Sequence, residues 1–133
     1  MIVRCVNNDT KAIPATFVSK RLQESIHLEG SDDSLEIGSS YEVQAIEERA
    51  DGGVWFYLHL DENDPYPYPQ PAEFFSVEDT ALPPGWCMKL GVECGSVRIK
   101  RVSFCDWADN DSFYEELVDG DPQIVAAYSR SKR

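Results

Sequence analysis

The chain has 133 residues, 42% of them hydrophobic, with three Trp, six Tyr and six Phe, so its composition is that of an ordered globular domain and excludes a disordered acidic tail. Its 24 acidic and 12 basic side chains give a formal net charge of −12, which repels nucleic acids and anionic membranes and attracts basic partners. The same charge also serves plain solubility, and both interpretations stay open.

The first predicted element is a short strand over residues 2–6, which ends at a polar turn cluster, Asn7-Asn8-Asp9. Residues 12–24 predict an extended or irregular arm, because Pro14 disfavours a helix there. A further brief extended piece, residues 26–28, precedes a polar, acidic loop over residues 29–34. The opening residues lack the apolar stretch and cleavage site of a signal peptide, so we expect a soluble, cytoplasmic protein.

Residues 35–79 organise the rest of the chain. Apolar Tyr41, Val43 and Ala45 alternate with polar neighbours, and this period of two is typical of a half-buried strand. A charged turn with Gly52-Gly53 then leads into residues 54–60, whose aromatic and β-branched side chains give the clearest strand signal.

A proline-rich stretch, residues 61–71, follows that aromatic strand. Its four prolines exclude a central strand and predict an extended surface loop that presents Tyr66 and Tyr68. Residues 73–79 return to a short strand, with Phe75 and Val77 on one face.

The C-terminal third begins with a strand over residues 97–107, in which the apolar phase slips between Lys100 and Arg101 and indicates a bulge. The cluster Asp109-Asn110-Asp111 supplies N-cap candidates for a helix that Gly120 ends. Asp121-Pro122 is the preferred opening of a second helix.

Together these elements predict a β-rich α+β fold: a bent, five- or six-stranded barrel over residues 35–105 with one or two C-terminal helices over residues 110–131. We expect a single domain, 1–133. The predicted core consists of the larger apolar residues of the strands: Val43, Ile46, Trp55, Tyr57, Phe75, Val77, Ile99 and Phe104.

The pattern Leu35-x-x-Gly38-x-x-Tyr41-x-Val43 resembles the first core strand of a Src-homology-3-type barrel, where a leucine precedes a diverging turn. Trp55 matches the aromatic residue of the next strand in that family, and the segment from Pro71 to Phe75 resembles the proline and aromatic before the last strand. The resemblance covers about 45 of the 133 residues and implies a Src-homology-3-like β-barrel.

The layout as a whole is similar to that of small bacterial immunity proteins of polymorphic toxin systems. The shared features are the Gly-x-x-Tyr-x-Val strand, the Trp-Phe-Tyr strand, the Tyr-Pro segment that ends in Pro-Ala-Glu-Phe-Phe, and an acidic tail. This resemblance implies a protein that binds a cognate toxin domain, such as a nuclease, and blocks it.

Residues that could carry out catalysis are sparse. The two histidines, His27 and His59, fall in different segments, and no nucleotide-binding or nucleophile motif occurs. The four cysteines lack zinc-site spacing, and without a secretion signal we expect reduced thiols. We therefore expect no enzyme activity, no metal and no cofactor, and a small enzyme using His59 near Asp61 stays the alternative.

Two clusters combine acids with aromatic residues, a pairing that suits a basic protein partner because aromatics anchor an interface and acids steer association. Solvated loops and capping acids would give the same sequence, so that interpretation stays open, as does a peptide-recognition or adaptor module in which Tyr41, Trp55, Tyr66 and Tyr68 line a groove. The predicted partner-binding residues are Asp61, Glu62, Asp64, Tyr66, Tyr68, Asp106, Trp107, Asp109, Asp111, Glu115 and Glu116.

Overall fold

A computed structural model describes residues 1–8, 35–49 and 52–132 of the chain. It confirms a strand-rich α+β protein with C-terminal helices, arranged as two compact units, Met1–Leu82 and Pro83–Arg133. The predicted elements at residues 12–24, 26–28 and 29–34, together with His27, lie outside the described residues. The expectation of one domain stays a prediction.

The described residues of the N-terminal unit form five antiparallel strands in the spatial order β4-β3-β2-β1-β5. These are β1 (Ile2–Cys5), β2 (Ser40–Glu48), β3 (Val54–Leu58), β4 (Tyr68–Pro71) and β5 (Phe75–Asp79), with a 3₁₀ turn at Ala72–Phe74. In the described residues no pairing joins β4 to β5, so this sheet is open at both ends rather than closed into a barrel.

The β2–β3 hairpin forms where the sequence predicts it. The Arg49 N–H donates to the Gly53 carbonyl at 2.8 Å, and the Gly52 N–H donates to the Arg49 carbonyl at 2.8 Å. Gly52 has φ +85°, a left-handed conformation that glycine adopts without the steric cost of a side chain. The register shifts between Val43 and Ala45, a bulge that bends β2.

Strand β3 is buried on both faces. Phe56 and Leu58 pack in one cluster with Val3 and Val43, while Trp55 and Tyr57 are buried on the opposite face. The sequence alternation of β2 alone predicts a half-buried sheet, but the continuous apolar run of β3 is typical of a strand covered on both sides.

The loop in the proline-rich stretch is shorter than predicted. Its last four residues form β4, which pairs with β3 and lies at an edge of the sheet, where proline costs no ladder hydrogen bond on the open side. Pro67 and Pro71 are fully buried, so two of the four prolines contribute to packing rather than to an extended surface loop.

The C-terminal unit consists of a long hairpin followed by three helices. The hairpin is formed by β6 (Trp86–Glu93) and β7 (Ser96–Phe104), and the helices are α1 (Cys105–Ala108), α2 (Phe113–Val118) and α3 (Pro122–Ser131). The hairpin register shifts at Lys100, which confirms the predicted bulge. No helix in the described part of the chain has the length and apolar character that crossing a bilayer requires.

The end of α2 and the start of α3 confirm predicted signals, whereas the N-cap prediction for α2 is wrong, because its N-cap is Ser112 rather than a residue of the Asp109-Asn110-Asp111 cluster. Gly120 has φ +81° just after α2, and the Asp121 carboxylate accepts hydrogen bonds from the Gln123 and Ile124 N–H groups at 3.0 and 3.2 Å, which caps α3. Phe104, Trp107, Phe113 and Tyr128 form the aromatic centre of this unit, with ring centroids 5.1 to 6.3 Å apart.

Other sequence expectations are wrong as well. Val77 and Ile99, placed in the core, are 45% and 42% exposed. The strand predicted to reach residue 107 ends at Phe104, where α1 begins. The expected reduced thiols are also incorrect for one pair, because Cys87 and Cys105 form a disulfide with their Cα atoms 4.9 Å apart.

Candidate functional site

The first acidic cluster forms a folded turn between β3 and β4, here called the acidic loop, residues 61–68. Asp61 and Glu62 are exposed, and Asp64, Tyr66 and Tyr68 are half-buried. The structure therefore brings the five predicted binding residues of this cluster into one short segment of the N-terminal unit.

Two of the three acids in the acidic loop fix its backbone. The Asp64 carboxylate accepts hydrogen bonds from the Leu60 and Asp61 N–H groups at 3.0 and 2.9 Å, and the Asp61 carboxylate accepts one from the Asn63 N–H at 2.9 Å. Aspartate suits such turns because its short side chain reaches nearby backbone donors. The loop is thus held in one shape by the same residues that give it negative charge.

The two tyrosines of the acidic loop lie side by side, with ring centroids 5.4 Å apart and planes tilted by 57°. Partial desolvation, together with the neighbouring Tyr66 and Asp64, raises the pKa of the Tyr68 hydroxyl. At neutral pH the hydroxyl therefore stays protonated.

A pocket of about 660 Å³ opens beside this loop. Its lining combines three carboxylates with apolar and amide groups: Glu36, Leu60, Asp61, Asp64, Tyr68, Pro69 and Gln70. No lysine or arginine is among these described lining residues, and the negative charge there has no compensating cation in the lining. Such a pocket favours a cationic group over a neutral or anionic one.

The second cluster, here called the helical acidic segment, residues 106–121, extends from α1 to the start of α3. Asp106, Asp109, Asp111 and Glu115 are exposed and Glu116 is half-buried. Within this segment Asp121 serves as the cap of α3, so part of its acidity has a local structural purpose.

The Asp111 carboxylate is paired with two cationic side chains of the same unit. It accepts a hydrogen bond from the Arg101 guanidinium and lies 3.6 Å from the Lys100 ammonium. The hydrogen bond and charge of Arg101, with the charge of Lys100, lower the pKa of Asp111. Because two cations lie beside it, Asp111 attracts a basic partner less strongly than the sequence suggests.

Trp107 belongs to the core rather than to a surface. It is 2% exposed, and its ring stacks against Phe113 at 5.1 Å and Tyr114 at 6.0 Å. The prediction that Trp107 contacts a partner is therefore not supported, because the packing of α1 removes its ring from solvent.

Arg101 is a key residue that the sequence analysis missed. Its side chain is buried, and its Nε and Nη2 atoms donate to the Ala108 carbonyl at 3.3 and 3.2 Å. The phase slip next to Arg101 was the available signal, since a bulge turns a polar strand residue toward the face that the helices cover.

The arrangement of residues does not favour the two alternative functions, a peptide-recognition module and a small enzyme. Trp55, needed as the wall of a peptide groove, is 3% exposed, and the Arg49 guanidinium lies 4.1 Å from the centre of its ring. His59 is not among the residues that line the pocket beside Asp61. In the described residues no group of three or more His, Cys, Asp or Glu side chains is placed to hold a metal ion.

Comparisons of the chain with protein-family models, with curated proteins and with solved structures give no match.

Proposed function

We propose that this chain is a non-enzymatic, cytoplasmic protein-binding protein, and specifically an immunity protein that binds a basic toxin domain and neutralises it. The proposal rests first on the pocket beside the acidic loop. Three of its seven lining residues carry carboxylates and one carries a phenol, which suits an arginine or lysine side chain of a protein partner.

The rigidity of the acidic loop supports the same function. Asp61 and Asp64 hold the loop through three backbone hydrogen bonds, so binding would not have to order it. The adjacent Tyr66 and Tyr68 supply aromatic area of the kind that anchors protein interfaces. The overall charge of −12 would steer a basic partner toward the chain and raise its association rate by about tenfold or more, an effect that salt reduces.

The helical acidic segment is the secondary surface of this proposal. Asp106, Asp109 and Glu115 are exposed, whereas Asp111 is paired and Trp107 is buried. We therefore assign the main contact to the acidic loop and a weaker, electrostatic contribution to the helical acidic segment.

The Src-homology-3-like barrel stays a proposal for the architecture of the N-terminal unit. Its support is the consecutive pairing of β2, β3 and β4 and the bulge that bends β2. A crystal structure tests it: strand pairing that curls β4 around toward β5 supports a barrel, and a flat sheet contradicts it.

The decisive test is co-expression of this chain with the toxin domain encoded by a neighbouring reading frame. We expect cells that make both proteins to survive and cells that make the toxin alone to die. Equal killing with and without this chain contradicts the immunity function.

Charge reversal then locates the interface. Glu62 is exposed on the acidic loop, and Glu62→Lys should weaken the purified complex by about tenfold or more. The matched control is Glu42→Lys, which makes the same change at an exposed position of β2 outside the acidic loop and should alter the Kd by less than about twofold. Equal effects of both variants would show that only net charge matters.

A further inference from the structure

The disulfide of the C-terminal unit joins the start of the hairpin to the start of the first helix. Cys87 lies in β6 opposite Ser103, and Cys105 is the first residue of α1. Both residues are half-buried, so a small dithiol has access to the bond. The sequence predicts reduced thiols and indicates no role for this pair.

Helix α1 is too short to be stable by itself. It spans four residues, and its N-cap, Phe104, makes no side-chain hydrogen bond to the exposed backbone donors. A helix this short does not persist in water without tertiary contacts. Its position therefore depends on what fixes its two ends and on the packing of Trp107.

The two ends of α1 are fixed by different chemistry. At the first residue the disulfide ties Cys105 to β6, and at the last residue the Ala108 carbonyl accepts two hydrogen bonds from Arg101. Reduction removes the first attachment and leaves the second. The N-terminal end of α1 and the exposed Asp106 beside it then lose their covalent anchor.

The remaining described cysteines do not compete for this bond. Cys5 is fully buried in the N-terminal unit, and Cys94 is exposed at the far end of the hairpin. Six residues of strand β6 lie between Cys87 and Cys94, which places the two cysteines about 20 Å apart and prevents direct exchange within one chain. Cys94 is therefore relevant only as a site of cross-linking between molecules.

We propose that the Cys87–Cys105 disulfide is a redox switch: when oxidised it anchors the N-terminal end of α1, and with it the N-terminal part of the helical acidic segment, and when reduced it releases that end. In a cytoplasmic protein a disulfide is more often transient or redox-sensing than structural, so the regulatory role rests on the cytoplasmic location in the proposed function. The reductant is a thiol: its thiolate attacks one protein sulfur to give a mixed disulfide, and a second thiol, from the same dithiol or from a second glutathione, displaces the protein thiolate and leaves the reductant as a disulfide. Two electrons pass to the protein, which gains two protons and two free thiols.

The test uses the full chain with Cys94→Ser, which removes cross-linking between molecules. Thiol counting on the denatured, air-oxidised protein should find one free thiol, from Cys5, and three after reduction. Reduction should lower the melting temperature by about 10 °C and increase hydrogen exchange at Asp109 and Asn110, whose N–H groups donate to the Cys105 and Trp107 carbonyls. The same protein with Cys87→Ser and Cys105→Ser should show the lower melting temperature with and without the reductant.

A glutathione buffer separates a switch from a permanent crosslink. We expect the bond to open at the ratio of reduced to oxidised glutathione that prevails in cytoplasm. Opening in excess dithiothreitol but not in that buffer would overturn the switch, and three free thiols in the oxidised protein would overturn the bond itself. Because no toxin is present, these outcomes are independent of whether the protein confers immunity.

Discussion

The two units of the chain differ in the number of their acidic side chains and in how these side chains are paired. Residues 1–82 contain 16 acidic and five basic side chains, whereas residues 83–133 contain eight acidic and seven basic ones. In the first unit the acids of the pocket have no cation in the described lining, while in the second unit Asp111 is paired with Arg101 and Lys100. Two clusters that look alike in sequence thus differ in the charge they leave for a partner.

The units also differ in what holds them together. The N-terminal unit buries β3 on both faces, so apolar packing of the β3 side chains contributes much of its stability. The C-terminal unit has a two-stranded hairpin and short helices, which are marginal alone and depend on an aromatic centre, a buried arginine and a disulfide. Individual side chains should therefore matter more in the second unit.

Removal of the aromatic centre should have the largest effect on the C-terminal unit. Trp107→Ala should destabilise the C-terminal unit by about 3–5 kcal/mol, because the substitution leaves a large cavity between Phe104, Phe113 and Tyr128. Urea unfolding followed by circular dichroism measures the change. The control is Val118→Ala, at a position 40% exposed on α2, which should change stability by less than about 1 kcal/mol. Similar values for the two variants would show that the aromatic cluster is not the core of this unit.

The buried arginine gives the next largest effect. Arg101→Met keeps much of the side-chain volume but leaves the Ala108 carbonyl without its donor, so we expect a loss of about 2–3 kcal/mol in the free energy of unfolding. Asp111→Asn, which removes only the exposed partner, should cost less because solvent screens that side of the pair. A larger loss in Asp111→Asn than in Arg101→Met would contradict the assignment of Arg101 to the C-terminal end of α1.

Several elements were predictable because their signals are local. The Gly52-Gly53 turn, the bulge at Lys100 and the Asp121 cap each depend on a few neighbouring residues whose backbone chemistry is visible in the sequence. The strand-rich α+β class follows from the same signals, since it needs only the type and order of the elements.

Features that depend on distant residues were not predictable. Periodicity places Ile99 on an apolar face, but whether that face is covered depends on where other elements pack, and Ile99 is 42% exposed. The Cys87–Cys105 bond needs α1 to begin at residue 105, and the sequence predicted a strand there. The pocket likewise required the acidic loop to fold beside Glu36, which is far from it in the chain.

A smaller effect tests the cap that ends the helical acidic segment. Asp121→Ala removes the acceptor for the Gln123 and Ile124 N–H groups and should destabilise the C-terminal unit by about 1 kcal/mol. Asp121→Asn serves as the matched control, because it removes the charge but keeps a capping oxygen and should lose only a few tenths of a kcal/mol. If the two variants are equally destabilised, charge near the helix end rather than hydrogen bonding explains the role of Asp121.

The smallest effect concerns pH and the ion pair of Asp111. The hydrogen bond and charge of Arg101, with the charge of Lys100, lower the pKa of this carboxyl in the folded protein. The unfolded chain therefore takes up a proton at a higher pH than the folded one. The stability that Asp111 contributes is complete above its unfolded pKa, near pH 4, and is lost as the pH falls through the folded pKa.

Asp111→Asn isolates this effect from the other 23 acids, because the variant keeps the shape of the side chain but does not titrate. We expect the free energy of unfolding of the wild type to exceed that of the variant at pH 7 and the difference to shrink toward acid pH. Chemical denaturation at pH 7, 5, 4 and 3 provides the comparison. A difference that stays constant or grows as the pH falls would mean that Arg101 does not hold Asp111 in its charged form. The contrast between the paired Asp111 of the second unit and the acids that line the pocket of the first unit would then fail.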